Sequence, residues 1–192
     1  MAIVTPPHGI GKITFATDDA RFVACLPWTL REEGGDSDDK HDPGGCTHEG
    51  IIQSEYNVYR RLHGLPIRSV FKADNTEVDQ IYYVSYWKPW CSIMPAGVDL
   101  DFFDNSVNEG PHAAIIILQR ALGVDADGHI GIITRGALTE QTQGSDHTIG
   151  LLEKLKAARA AYYRGLRIFR YFGKDWIGRD DRISRVAEQM AS

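Results

Sequence analysis

The sequence predicts a mainly α fold, with at most a small β-hairpin in the loop at residues 34–46. Two observations carry that prediction. Apolar residues recur at helical spacing, most clearly where Leu151, Leu155, Ala158, Tyr162, Leu166 and Phe169 form one stripe, and prolines and glycines fall at the ends of such runs. At 192 residues and 21.4 kDa the chain suits one compact domain, or a catalytic lobe with a small appended module. Its 43% hydrophobic and 24% charged content is ordinary for a globular protein. No segment approaches the roughly 20 apolar residues that span a bilayer, so a soluble protein without stable membrane insertion is expected.

Residues 1–16 read as an N-terminal arm. Thr17 is the expected N-cap of a first helix, with Asp18 and Asp19 favoured in its first turn by the helix dipole and Phe22, Cys25 or Leu26, and Leu30 on one face. Pro27 should kink this helix, and Gly34-Gly35 should end it, because glycine readily takes the left-handed conformation that closes a helix. Glu33 is thus predicted on the last turn. A second helix is expected through GIIQSEYNVYRRLHG, with Ile52, Tyr56, Tyr59 and His63 near one face and Gly64 as its stop. Thr76 and Asp79 make an approximate capping box for a third, through EVDQIYYVSYW, which Pro89 ends. DLDFFDNSVNEG and, started by Pro111, HAAIIILQRALG follow as helices. DADGHIGIITRGAL reads as a tight turn and a short helix, and a long helix through LLEKLKAARAAYYRGLRIFRY closes the series.

Charge is unevenly placed. Residues 151–192 carry ten Lys/Arg against five Asp/Glu, and residues 1–150 carry eleven against twenty-one, so an overall charge of −5 hides a basic tail behind an acidic front. The acidic front argues against a nucleic-acid groove. The basic stretch KLKAARAAYYRGLRIFR is either a solvated helix face or a contact for an anionic polymer. Cys25, Cys46 and Cys91 match neither a disulfide framework nor a zinc ribbon and are expected as free thiols. The N-terminus has prolines and glycines where a secretory signal needs a basic start and an apolar run, so synthesis in the cytoplasm is expected.

The stretch REEGGDSDDKHDPGGCTHEG crowds seven carboxylates and five glycines into residues 31–50. A solvated loop, a metal site and a pair of catalytic carboxylates compete for it. An EF-type calcium loop begun at Asp36 fails, because Lys40 and His41 stand where a ligand and the turn glycine belong. GVDADGHIGIIT places Asp125, Asp127, Gly128 and Ile130 in register but has Gly123 and Thr134 at its ends, which favours a turn. His41, Cys46 and His48 offer zinc ligands without a closing pair at helical spacing. A nucleophilic Cys46 would need His48 as base. Glycosidic hydrolysis needs a protonated acid and a second carboxylate that manages water. Glu33, at the negative end of a helix dipole that opposes its ionisation, suits the acid, Asp42 the base, and the Thr47 hydroxyl a hold on the water. Side chains of Glu32 and Glu33 diverge by about 100° on a helix, so only one of them can face a cleft.

EGG followed by DPGGCTHEGI resembles the motif of glycoside hydrolase family 108, a lysozyme-like family of phage endolysins and bacterial muramidases. The Glu33, Asp42 and Thr47 order also resembles the catalytic arrangement of T4-type lysozymes. YYVSYW is similar to the family's Tyr-Trp helix. FFDNSVNEGPHAAIIILQRALGV, DGHIGIIT and YRGLRIFRYFGKDWIGR resemble a peptidoglycan-binding module, although Ile132 replaces a usual proline and Lys174-Asp175 interrupt an expected Gly-Trp.

The resemblance implies a lysozyme-like helical fold with a catalytic region at residues 17–97 and a peptidoglycan-binding-like region at residues 98–192 packed against it. It implies an N-acetylmuramidase with Glu33 as acid, helped by Asp42 and Thr47. Gln53, Tyr56, Tyr86, Trp87 and Asn108 are candidates for touching the glycan, and Trp90 is a further aromatic candidate, a core role being the alternative for the aromatics. No metal or organic cofactor is required. The expected partner is the peptidoglycan glycan strand, the expected state a monomer, and the expected route to the wall holin-type release or delivery with a phage-like particle. A non-hydrolytic wall-binding module on the same scaffold, or a metal-dependent amidase using His41, Cys46 and His48, are the alternatives.

Overall fold

The computed structural model describes residues 19–33 and 47–192. These residues form eight α-helices and a single two-stranded antiparallel hairpin, so the fold is mainly α. None of the described helices is long and apolar enough to cross a membrane. The chain divides into two compact units, one ending at Trp87 and one formed by Lys88–Ser192.

In the first unit, α1 spans Ala20–Glu33 with Pro27 inside it. Its N-cap is Asp19 rather than Thr17, which lies outside the described residues. Asp19 Oδ1 accepts the backbone N–H groups of Arg21 at 3.1 Å and Phe22 at 3.2 Å, two donors that a first turn otherwise leaves unsatisfied. The hairpin pairs β1 (Thr47–His48) with β2 (Ile51–Ile52). It therefore occupies residues expected to open the second helix, and α2 begins only at Gln53 and runs to Leu62. Gly64, at φ +65, follows that helix as predicted. Next, α3 (Asn75–Tyr82) is opened by a capping box of Asp74 and Glu77, not of Thr76 and Asp79. It widens into a π-helical turn at Tyr83–Trp87. Phe22, Leu26, Ile51, Tyr56, Val78, Ile81 and Trp87 are all buried in this unit's core.

The second unit is a bundle of α4 (Val98–Glu109), α5 (Pro111–Leu122), α6 (Ile132–Glu140), α7 (Ser145–Gly165) and α8 (Phe169–Ala191). Pro111 stands in the first turn of α5 and Gly123, at φ +73, closes it, as the sequence indicates. The DADG segment is a turn, held by Gln119, whose side chain bonds Asp127 at 2.7 Å and the Gly128 amide at 2.9 Å. The expected final helix is in fact two, broken between Gly165 and Phe169. Its buried stripe also differs: Leu151, Leu155, Arg159 and Tyr163 face inward instead of Ala158 and Tyr162. The difference has an electrostatic cause. Asp104, fully buried on α4, accepts Arg159 Nη2 at 2.8 Å and Arg179 Nη2 at 2.8 Å, so two guanidiniums reach the core with a shared counter-charge. Cys25 and Cys91 are buried, and Cys46 lies outside the described residues.

The same core carries two further carboxyls, Asp101 and Asp180, the latter 3.5 Å from Arg159 Nη1. Burial pushes Asp101 up to about 7, with Arg159 only partly offsetting it, and pushes Asp180 up to about 6. Asp104 goes the other way, because Arg179 and Arg159 overcome its burial and hold it low. The folded unit thus retains protons at Asp101 and Asp180 that the unfolded chain releases near the ordinary value of 3.8. This contribution to stability falls as pH rises from about 4 to about 7 and is flat above, whereas that of Asp104 is lost only on strong acidification. The unfolding midpoint of this unit is expected to be higher at pH 5 than at pH 8, with Asp101→Asn flattening the slope. A midpoint that rises across this interval in the parent protein would contradict the assignment.

Candidate active site

Glu33 is the last residue of α1 and is partly exposed. The hairpin beside it turns through Glu49 and Gly50, both left-handed at φ +47 and +81, the pair that a two-residue type I′ turn demands. Glu49 is the single non-glycine residue with positive φ among those described, a conformation costing about 1 kcal/mol for a side-chain-bearing residue. Its carbonyl accepts the Tyr82 hydroxyl at 2.6 Å, which ties the strained turn to α3.

Gly50 gives this corner its shape. A Cβ there would lie 2.5 Å from the Tyr82 hydroxyl and 2.9 Å from Glu33 Oε2, so the carboxyl of α1 and the phenol of α3 meet in the space glycine leaves. Gly50→Ala is expected to destabilise by about 2–4 kcal/mol, from left-handed strain plus collision, and to impair activity. Gly64→Ala supplies the control, since Gly64 has φ +65 but nothing within 4 Å, and should show only the strain of about 1 kcal/mol. Equal unfolding midpoints for the two variants would remove the claimed packing.

More carboxylates converge on this corner than the sequence indicated. Glu55 on α2 is raised by burial, a rise moderated by a hydrogen bond from Tyr86. Tyr86 is itself pushed far up, by burial first and then by the charges of Glu55 and Glu33. Asp79 on α3 is 2% exposed, and its Oδ2 has no hydrogen-bond partner among the described residues. Burial and then the Glu49 charge push it up to about 7. Asp79, Tyr82 and Tyr86 lie at helical spacing, three and then four residues apart, but α3 carries other polar residues too, so the spacing alone did not single them out.

Of the residues expected at the site, Glu33, Thr47 and Tyr86 fall in this region: Thr47 opens β1 opposite Ile52. Asp42, His41 and Cys46 lie outside the described residues, and among those described no cluster of three potential metal ligands occurs. Tyr56 and Trp87 are not on a surface at all, both being 0% exposed. Tyr56 donates to Glu77 at 2.7 Å and accepts from Arg68 at 2.8 Å, while Trp87 donates to Asp19 Oδ2 at 2.8 Å. Their polar atoms are satisfied by the core, so they build the unit rather than line it. Gln53 is similarly committed, bonding Asn57, the Arg68 carbonyl and the Val70 amide at 2.8–2.9 Å. Asn108 belongs to the second unit, where it donates to Tyr163 at 3.0 Å and Glu109 at 2.9 Å.

Two family models match the chain, the first extending past the division at Trp87. A family model described as glycosyl hydrolase 108 matches residues 26–110, and one described as a predicted peptidoglycan domain matches residues 113–170. The solved structure of SagA from Brucella abortus is 31% identical, with a TM-score of 0.73 over 88% of this chain and 95% of that one. Curated protein sequences give no significant match. Glu33 and its hairpin thus lie within the matched hydrolase segment, and the chain belongs to glycosyl hydrolase family 108, with a peptidoglycan domain following the hydrolase domain.

Proposed function

We propose that the chain is a peptidoglycan hydrolase of lysozyme type, an N-acetylmuramidase that cleaves the bond between N-acetylmuramic acid and N-acetylglucosamine. The observation that carries the proposal is the placement of the Glu33 carboxyl at the end of α1, against Gly50 and the Tyr82 hydroxyl, inside the family match. Hydrolysis needs a proton on the departing glycosidic oxygen and a water at the anomeric carbon. Glu33 supplies the proton. Asp42 takes one from the water, with the Thr47 hydroxyl orienting it. The half-buried pair of Tyr86 and Glu55 gives the Glu33 corner a fixed wall, since a phenol bonded to a carboxylate has little freedom to turn.

In the cell we place the enzyme among phage or phage-like endolysins, made in the cytoplasm and passed to the wall by a holin or with a particle. The test is mass spectrometry of purified sacculi after digestion. New reducing ends on N-acetylmuramic acid support the proposal. New ends on N-acetylglucosamine, released amino groups, or binding without new ends would each replace it, the last by a non-hydrolytic module.

A further inference from the structure

The basic stretch noted in the sequence acquires a shape where α7 gives way to α8. Leu166, Arg167 and Ile168 link the helices, and Arg164, Arg167, Arg170 and Lys174 are all exposed around the link. No carboxylate among the described residues forms an ion pair with any of the four, although the chain as a whole carries −5. Between these cations stand Ile168, Tyr171 and Phe172, respectively 48%, 64% and 50% exposed. Exposed apolar side chains grouped in this way mark interaction surfaces.

The rings are held firmly from behind. Tyr171 meets Phe172 edge to face at 6.4 Å, Phe172 lies 5.9 Å from Trp176, and Trp176 stacks on buried Tyr163 at 5.4 Å. Tyr163 is fixed in turn by Arg159 at 2.8 Å and Asn108 at 3.0 Å. Phe169 folds its ring over Gly173, where any side chain would strike it, and so fills the inner side of the corner. Arg170 lies over the Tyr171 ring, 4.6 Å from its centre. The aromatic surface is therefore in place before any ligand arrives, which lowers the ordering cost of binding.

We propose that this α7–α8 corner is a peptidoglycan-binding site, taking sugar faces on Tyr171 and Phe172 and stem-peptide carboxylates on Arg167, Arg170 and Lys174. Aromatic faces suit the C–H faces of pyranose rings, and guanidiniums suit carboxylates through paired hydrogen bonds. Peptidoglycan offers both groups along one strand. An anionic bilayer is the competing surface, but an interfacial helix separates its apolar face from its cations. Here a cation lies directly over an exposed ring, Arg170 on Tyr171. The peptidoglycan-domain match ends at residue 170, within this corner. The site rests on the proposed function only for the identity of its ligand.

The test uses the full chain carrying Glu33→Gln, so that the polymer survives the measurement. It is sedimented with purified sacculi and, in parallel, with phosphatidylglycerol vesicles. Tyr171→Ala with Phe172→Ala, and separately Arg167→Glu, Arg170→Glu with Lys174→Glu, are each expected to weaken sacculus binding about tenfold or more, the scale of two lost ring contacts or three reversed charges. Unfolding midpoints check both variants, and the charge reversals, being confined to exposed side chains, keep the test decisive if the ring variant fails to fold. Undiminished sacculus binding by the charge variant, or capture of the parent by vesicles and not by sacculi, overturns the site. Failure of the active chain to create new reducing ends would instead count against the hydrolase reading, because binding is measured independently of turnover.

Discussion

Glu33→Gln is expected to abolish wall hydrolysis while leaving the fold intact. Glutamine matches glutamate in size and so preserves packing against Gly50 and Tyr82, but it has no acidic proton to give. Loss of a general acid costs about 10²- to 10⁴-fold in rate. Turbidity loss of outer-membrane-permeabilised Gram-negative cells measures it, with circular dichroism and the unfolding midpoint confirming an unchanged fold. Glu32→Gln, one residue earlier and about 100° around the helix, should retain most of the activity. If Glu32→Gln is the inert variant and Glu33→Gln clears cells normally, the assignment of the acid is wrong. Activity of the parent that persists in EDTA would separately dispose of a metal-dependent route through His41, Cys46 and His48.

The second large effect is structural. Asp104→Ala removes the one carboxylate that Arg159 and Arg179 share, leaving Arg159, at 0% exposure, as a cation in the core without its closest counter-charge. Breaking a buried pair from one side costs about 3–5 kcal/mol, a large part of the roughly 5–15 kcal/mol that stabilises a typical domain. Denaturant unfolding followed by tryptophan fluorescence should report it, since Trp176 stacks on Tyr163, whose hydroxyl Arg159 holds. Replacing all three partners by apolar residues of similar volume should cost much less. A single variant that unfolds with the parent's midpoint would show that the network does not stabilise the bundle.

Local chemistry made part of this architecture legible. Glu33 could be placed at the end of a helix because Gly34-Gly35 follow it, and Pro111 and Gly123 mark the two ends of α5 without help from tertiary structure. Elements were misplaced where two local readings competed. Asp74-x-x-Glu77 and Thr76-x-x-Asp79 are both capping-box patterns, and the true one puts the better acceptor first. The small hairpin was expected in the loop at residues 34–46, which lies outside the described residues, and the one at residues 47–52 is hard to place because strands of two residues show no alternation and the left-handed pair Glu49-Gly50 is its cue. Arg159 took the place of Ala158 on the inner face of α7 for a reason no helical pattern contains, namely a carboxylate 55 residues away. The same holds for the site. Glu33 was accessible from its neighbours, whereas Glu55 and Asp79 join its surroundings only when α2 and α3 close around the hairpin.

The wide turn at Tyr83–Trp87 amounts to one inserted residue in an otherwise regular coil. Just before it, Tyr82 bonds the hairpin, and at its end Trp87 reaches back to Asp19 at the start of α1. The insertion sets the angular phase between these two duties, each residue of an α-helix advancing by about 100°. A relative lacking one residue here could keep every one of these side chains in its sequence and still be unable to engage the hairpin and the start of α1 at once.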